Sequence, residues 1–105
     1  MADIQIRPRA QLDIESIYLH ISIVLDSPLK ANRLIDTIYS SIERLGDFPE
    51  LGERFTHEGL ENSYRRILVN QYWVYYTFNP SADEVAIWHI FHTSRDIDDY
   101  AITDL

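Results

Sequence analysis

The sequence predicts an α+β fold in the order β-α-α-β-β-β: an N-terminal strand, then an antiparallel helical hairpin packed on an antiparallel β-sheet. Three observations predict it. Two apolar stripes at helical spacing fill the first half, and only Asp26-Ser27-Pro28 separates them. Three short runs rich in β-branched and aromatic residues fill the second half. Helices grouped before strands favour a helical layer on one sheet over an alternating wound fold.

Asp3-Ile4-Gln5-Ile6-Arg7 alternates polar and apolar, which suits a short strand with Ile4 and Ile6 inward. Pro8 ends it. Asp13 and Glu15 then fall in the first turns of a helix, where the dipole favours acids. Ile14, Ile17, Tyr18, Ile21, Val24 and Leu25 follow helical spacing along one face. Ser27 reads as the N-cap of a second helix with Pro28 at its first position. Ala31, Leu34, Ile35, Ile38, Ile42 and Leu45 form its stripe, and Gly46 reads as its C-terminal cap. So short a connection packs the helices as an antiparallel hairpin.

From Asp47 to Ser63 periodicity disappears, and Pro49, Gly52 and Gly59 mark an acidic surface loop. The runs Tyr64–Val69, Tyr72–Phe78 and Val85–His92 follow, divided by Asn70-Gln71 and by Asn79 to Asp83, as in an antiparallel meander. Five of the seven residues from Tyr72 to Phe78 are aromatic, so the helices must cover much of this sheet. The last run changes phase: Val85 and Ile87 share one face, Trp88, Ile90 and His92 the other. Either a bulge near Trp88-His89 or a sheet apolar on both faces accounts for it. The remaining Ile97 to Leu105 is an acidic tail with room for one helical turn.

At 105 residues the chain is expected to form a single domain over 1–105, able to bury roughly two thirds of its surface. It has no cysteine and no apolar run long enough for a bilayer, and with no basic and apolar stretch visible near Met1 no signal peptide is expected. A cytoplasmic protein with no membrane contact is the expectation. Seventeen acids against nine bases give a formal charge of -8, a field that disfavours direct nucleic-acid binding. Eight of the nine bases are Arg, which favours planar contacts over diffuse attraction. No cofactor is implied. His89 and His92, three apart on a regular strand, face opposite ways, so no metal site is expected either.

Taken in order, Asp13-Ile14-Glu15-Ser16-Ile17-Tyr18, Pro28 with Ala31, Leu45 with Pro49 and Gly52, Tyr64-Arg65-Arg66-Ile67, Tyr72-Trp73-Val74-Tyr75-Tyr76 and His92-Thr93-Ser94-Arg95-Asp96 resemble the RelE/ParE superfamily of type II toxins. The resemblance covers nearly the whole chain. The terminal His-x-x-Arg-Asp and the loop Pro49-Glu50-Leu51-Gly52 look closer to the ParE branch. It implies the toxin of a type II toxin–antitoxin system of plasmid-stabilisation type. Such a toxin would be held by a cognate antitoxin and would inhibit DNA gyrase by binding. The alternatives are a RelE-like ribosome-dependent mRNA endoribonuclease and a non-toxic relative that keeps antitoxin binding. A homodimer stays open. An antitoxin segment would lie along the helical hairpin or add a strand to a sheet edge. With both partners acidic, apolar anchors should matter more than long-range attraction.

Strand-breaking chemistry on RNA needs a base, an acid and cations around phosphorus. Under the ribonuclease alternative Arg65, Arg66 and His92 would supply these. Ribonuclease members of the family typically carry an arginine where Trp73 stands, and an indole has one donor and no charge. Arg65 and Arg66 point to opposite faces; one should pair with Glu61 or Glu53, leaving the other for contact. Arg65, Arg66, Trp73, His92 and Arg95 are the candidate contacts to a target or antitoxin. For His92 the plainer reading is a strand-end histidine bonded to the following turn, with Arg95 and Asp96 paired. His20 and His57 read as ordinary surface residues.

Overall fold

A computed structural model describes residues 1–55 and 64–94. The element order is β1 (Asp3–Ile6), α1 (Pro8–Leu19), a π-helical turn (His20–Val24), α2 (Pro28–Asp47), β2 (Glu53–Phe55), β3 (Tyr64–Val69), β4 (Tyr72–Asn79) and β5 (Glu84–His92). The strands form one sheet in the order β1-β5-β4-β3-β2. The meander is antiparallel, as expected, but β1 lies parallel to β5, so the sheet is mixed. Glu53–Phe55, expected as loop, is instead an added edge strand paired with Arg66, Arg65 and Tyr64.

The helices form an antiparallel hairpin: Gln11 Nε2 donates to Tyr39 Oη (3.3 Å), while the other ends meet at the Asp26 turn. Ile38, Ile42 and Leu45 of α2 are fully buried and meet Ile14, Val74, Tyr76, Val85, Ile87 and Ile90 in one core, and Ala31 is buried too. The α1 stripe is shorter than its spacing predicts. Beyond Leu19 the wider π turn breaks the phase, Leu25 N bonding to His20 O (3.0 Å). Val24 and Leu25 are therefore 68% and 58% exposed instead of facing the sheet.

Three local expectations change for stated reasons. Helix α1 opens at Pro8, so Asp13 lies beyond its first turn and does not serve the dipole. Ser27 precedes Pro28 as the N-cap, but its side chain makes no cap bond. Gly46 does not end α2, which continues to Asp47. Ala2 N donates to Gly46 O (2.8 Å), and a Cβ at Gly46 would lie 3.1 Å from Ala2 O. Glycine is there so that the N-terminus can approach. The phase change in β5 is a bulge: Tyr75 pairs with His89 and Tyr76 with Ile87, leaving Trp88 extra. Its indole donates to Thr77 Oγ1 (2.8 Å). Among the described residues no helix is long and apolar enough to cross a membrane.

Candidate functional site

The pleat divides the named residues between two faces. Arg66, Trp73 and Tyr75 stand on the face opposite Ile67, Val69, Val74 and Tyr76, which pack under the helices. Arg66 Nε meets Glu53 Oε1 at 2.7 Å, and its Nη1 lies 3.4 Å from Tyr75 Oη. Its guanidinium carbon stands 4.0 Å from the Trp73 ring centre and 5.2 Å from that of Phe55. Burial opposes the charge, but the bonds to Tyr75 and Glu53 outweigh it, so the pKa of Arg66 is raised. One of the two arginines was expected to pair with Glu61 or Glu53; it is Arg66, with Glu53, and the pair lies within a cation–aromatic stack that strand geometry alone does not suggest.

Arg65 turns to the other face. Its Nη1 donates to the carbonyls of Gly52 (2.8 Å) and Glu50 (3.3 Å). Tyr76 Oη accepts from Gly52 N and donates to Pro49 O, both at 2.8 Å. Together these bonds fix the turn that delivers β2 to the sheet edge.

His92 ends β5 opposite Tyr72, whose ring it meets edge-on at 5.2 Å. Its Nδ1 accepts from Ser94 N (3.0 Å) and lies 2.7 Å from Ser94 Oγ. A backbone N–H can only donate, so Nδ1 is the acceptor and Nε2 carries the hydrogen facing Gln71 Oε1 (3.3 Å). This is the strand-end histidine bonded to its turn. Arg95, Asp96, Glu61 and His57 lie outside the described residues.

The fold does not bring Arg65, Arg66 and His92 together. Arg66 is on the opposite face from His92. Arg65 shares His92's face, yet it pairs with Tyr76 while His92 pairs with Tyr72. Four residues along the strand separate them by about 13 Å, and two strand spacings add about 10 Å across.

His89 and Asp13 form a further pair, which no sequence spacing signals. His89 is 1% exposed and stacks on Phe91 at 3.8 Å, its Nδ1 2.5 Å from Asp13 Oδ2. The same oxygen accepts Ile90 N (3.0 Å). Strand β1 stops opposite Ile87, so the outer edge of β5 beyond that point lacks a ladder partner. Asp13 supplies one from α1, and so closes the edge. Asp13→Asn keeps an acceptor but removes the charge, and should cost about 1.5–3 kcal/mol. Urea unfolding checks it; unchanged stability would mean Asp13 has no such role.

The family model for the ParE toxin of the type II toxin–antitoxin system, parDE, matches residues 4–97. Among solved structures, the chain is similar to one from the chromosomal ParDE toxin–antitoxin system of P. aeruginosa. The TM-score is 0.71 at 20% identity, over 88% of this chain and 96% of that one. It is also similar to a chain of the toxin–antitoxin complex RelBE2 from Mycobacterium tuberculosis. There the TM-score is 0.63 at 14% identity, over 87% of this chain and 96% of that one. At such identities the likeness is one of fold. No curated protein matches significantly.

Proposed function

Because the chain belongs to the ParE toxin family of type II toxin–antitoxin systems, we propose that it is a toxin that inhibits DNA gyrase by binding and is held in check by a cognate antitoxin. The observation that carries this reading is the stack at Trp73. Where a ribonuclease of this fold would present a cation, the chain has an indole lying on Arg66, and Arg66 is already paired with Glu53. Arg65 is bonded to loop carbonyls and His92 to Ser94 and Gln71. These groups hold structure together and do not converge on one scissile phosphate.

The contact surface in this reading is the sheet rim around Arg66 and Trp73, next to Leu68, which is 55% exposed and pairs with Trp73 across the strands. Arg65, His92 and Arg95 complete the proposed contacts to target or antitoxin. The reading also takes residues 1–105 as one domain working in the cytoplasm, as its proposed target requires.

Purified protein, with or without ribosomes, should leave mRNA intact. Trp73→Arg should not create strong cleavage, because the acidic field still opposes RNA docking. On induced expression, growth arrest should accompany broken or relaxed DNA while protein synthesis initially continues. Codon-position-specific mRNA cuts that vanish in His92→Ala would instead make the protein a ribonuclease. Normal growth at verified expression would leave a relative without toxicity.

A further inference from the structure

The tip of the helical hairpin is apolar on its outside. Leu19, Ile23, Val24, Leu25 and Leu29 run through the π turn into the start of α2, and each is more than half exposed. Two costly features hold them there. A π turn is rare in itself, and Asp26 closes the connection at φ 50°, in the left-handed region that residues with a Cβ enter at a cost. Five such side chains leave on the order of 500 Å² of apolar surface, near the upper limit of what a monomer shows. From Leu19 to Lys30 the fully charged residues are Asp26 and Lys30, one of each sign. Both are exposed, and among the described residues neither has an ion pair or a side-chain hydrogen bond. Lys30 also stands in the first turn of α2, where the helix dipole disfavours a cation.

We infer that the hairpin tip is a self-association surface, on which a second copy of this chain docks about a two-fold axis. In such a pair every contact occurs twice, so Asp26 of each copy meets Lys30 of the other, around a centre of Ile23, Val24 and Leu25. A second copy fits because it brings the same apolar centre and sets both charges against their opposites. With the polar rim the pair hides about 1,200 Å², the lower end for a specific interface, so association is weak and reversible. An anionic bilayer fits less well, since a single lysine at the tip would have to hold a chain of net charge -8 against it. The inference stands apart from the gyrase reading, since it concerns how the chain meets itself and not what the toxin inhibits.

The test is sedimentation velocity on the full chain over a range of concentrations. Val24→Asp and Leu51→Asp each add one negative charge at an exposed aliphatic residue, the first at the tip and the second in the turn before β2. The pair therefore separates a local contact from the overall repulsion. The average mass should rise from 12.4 kDa towards that of a dimer, with a midpoint on the order of 10–100 μM. Val24→Asp should raise that midpoint at least about tenfold and Leu51→Asp less than about twofold. Asp26→Lys and Lys30→Asp should each weaken association alone, and an equal mixture of the two should restore it, because their opposite charges then face each other. Circular dichroism checks the fold of each variant; if Asp26→Lys does not fold, Val24→Asp against Leu51→Asp decides alone. A chain that stays monomeric to about 1 mM, equal effects of the two added aspartates, or a mixture no better than its components would overturn the inference. So would a monomeric chain that binds phosphatidylcholine vesicles through the tip and loses them in Val24→Asp, which would make the tip a membrane contact.

Discussion

Ile38→Ala should destabilise the fold by about 2–5 kcal/mol, through lost burial and the cavity left behind. Ile38 has 0% exposure and belongs to the cluster in which α2 meets the sheet through Val74, Tyr76, Val85 and Ile87. It sits in the middle of α2, so neither end of the helix can shift to fill the space. Thermal unfolding should fall by more than about 8 °C. Leu29→Ala makes the control: Leu29 is on the same helix but 62% exposed, and should change stability by less than about 0.5 kcal/mol. Similar losses in both variants would mean that the hairpin does not rest on the sheet through this stripe.

How far the sequence spoke for itself varied with how local the cause was. The α2 stripe was legible because one unbroken helix keeps its period from Ala31 to Leu45. The α1 stripe was legible only to Ile21, since nothing in His20-Ile21-Ser22-Ile23-Val24 signals a turn of different width. The bulge at Trp88 was legible as a phase change, because alternation is strict on a strand. Strand β2 was not: Glu53-Arg54-Phe55 holds a single apolar residue and is made a strand by pairing with Tyr64, Arg65 and Arg66. At the site, the Arg66–Glu53 pair and the turn-bonded His92 could be reasoned from neighbours in sequence and from strand geometry. The stack of Trp73 on Arg66 needs the β3–β4 register, and the Asp13–His89 contact joins residues far apart in the chain. No spacing rule reaches either.

Gly52→Ala should cost about 2–4 kcal/mol, although the sequence presents Gly52 only as loop punctuation. A Cβ there would lie 2.7 Å from both Cε1 and Oη of Tyr76 and 2.8 Å from the backbone oxygen of Arg66. Neither neighbour can yield cheaply: Tyr76 is fully buried, and Arg66 O belongs to a paired strand. Overpacking of this kind costs about 1–3 kcal/mol, and displacing Tyr76 Oη from Gly52 N or Pro49 O adds about 1 kcal/mol. Tyr76→Phe alone leaves both loop groups without that partner and should cost about 1–3 kcal/mol. The double variant should cost less than the sum, because the phenylalanine removes one of the atoms that the new Cβ strikes. Alkaline titration gives a second view. Burial, against the bond from Gly52 and the charge of Arg65, raises the pKa of Tyr76 above its ordinary 10. A phenol whose folded pKa is raised gives stability that is full below the unfolded value and is lost as pH rises through the folded one. Wild-type stability should therefore decline above about pH 10 more steeply than that of Tyr76→Phe. Strict additivity of the two substitutions, together with matching alkaline declines, would show that Gly52 and Tyr76 are not coupled through this contact.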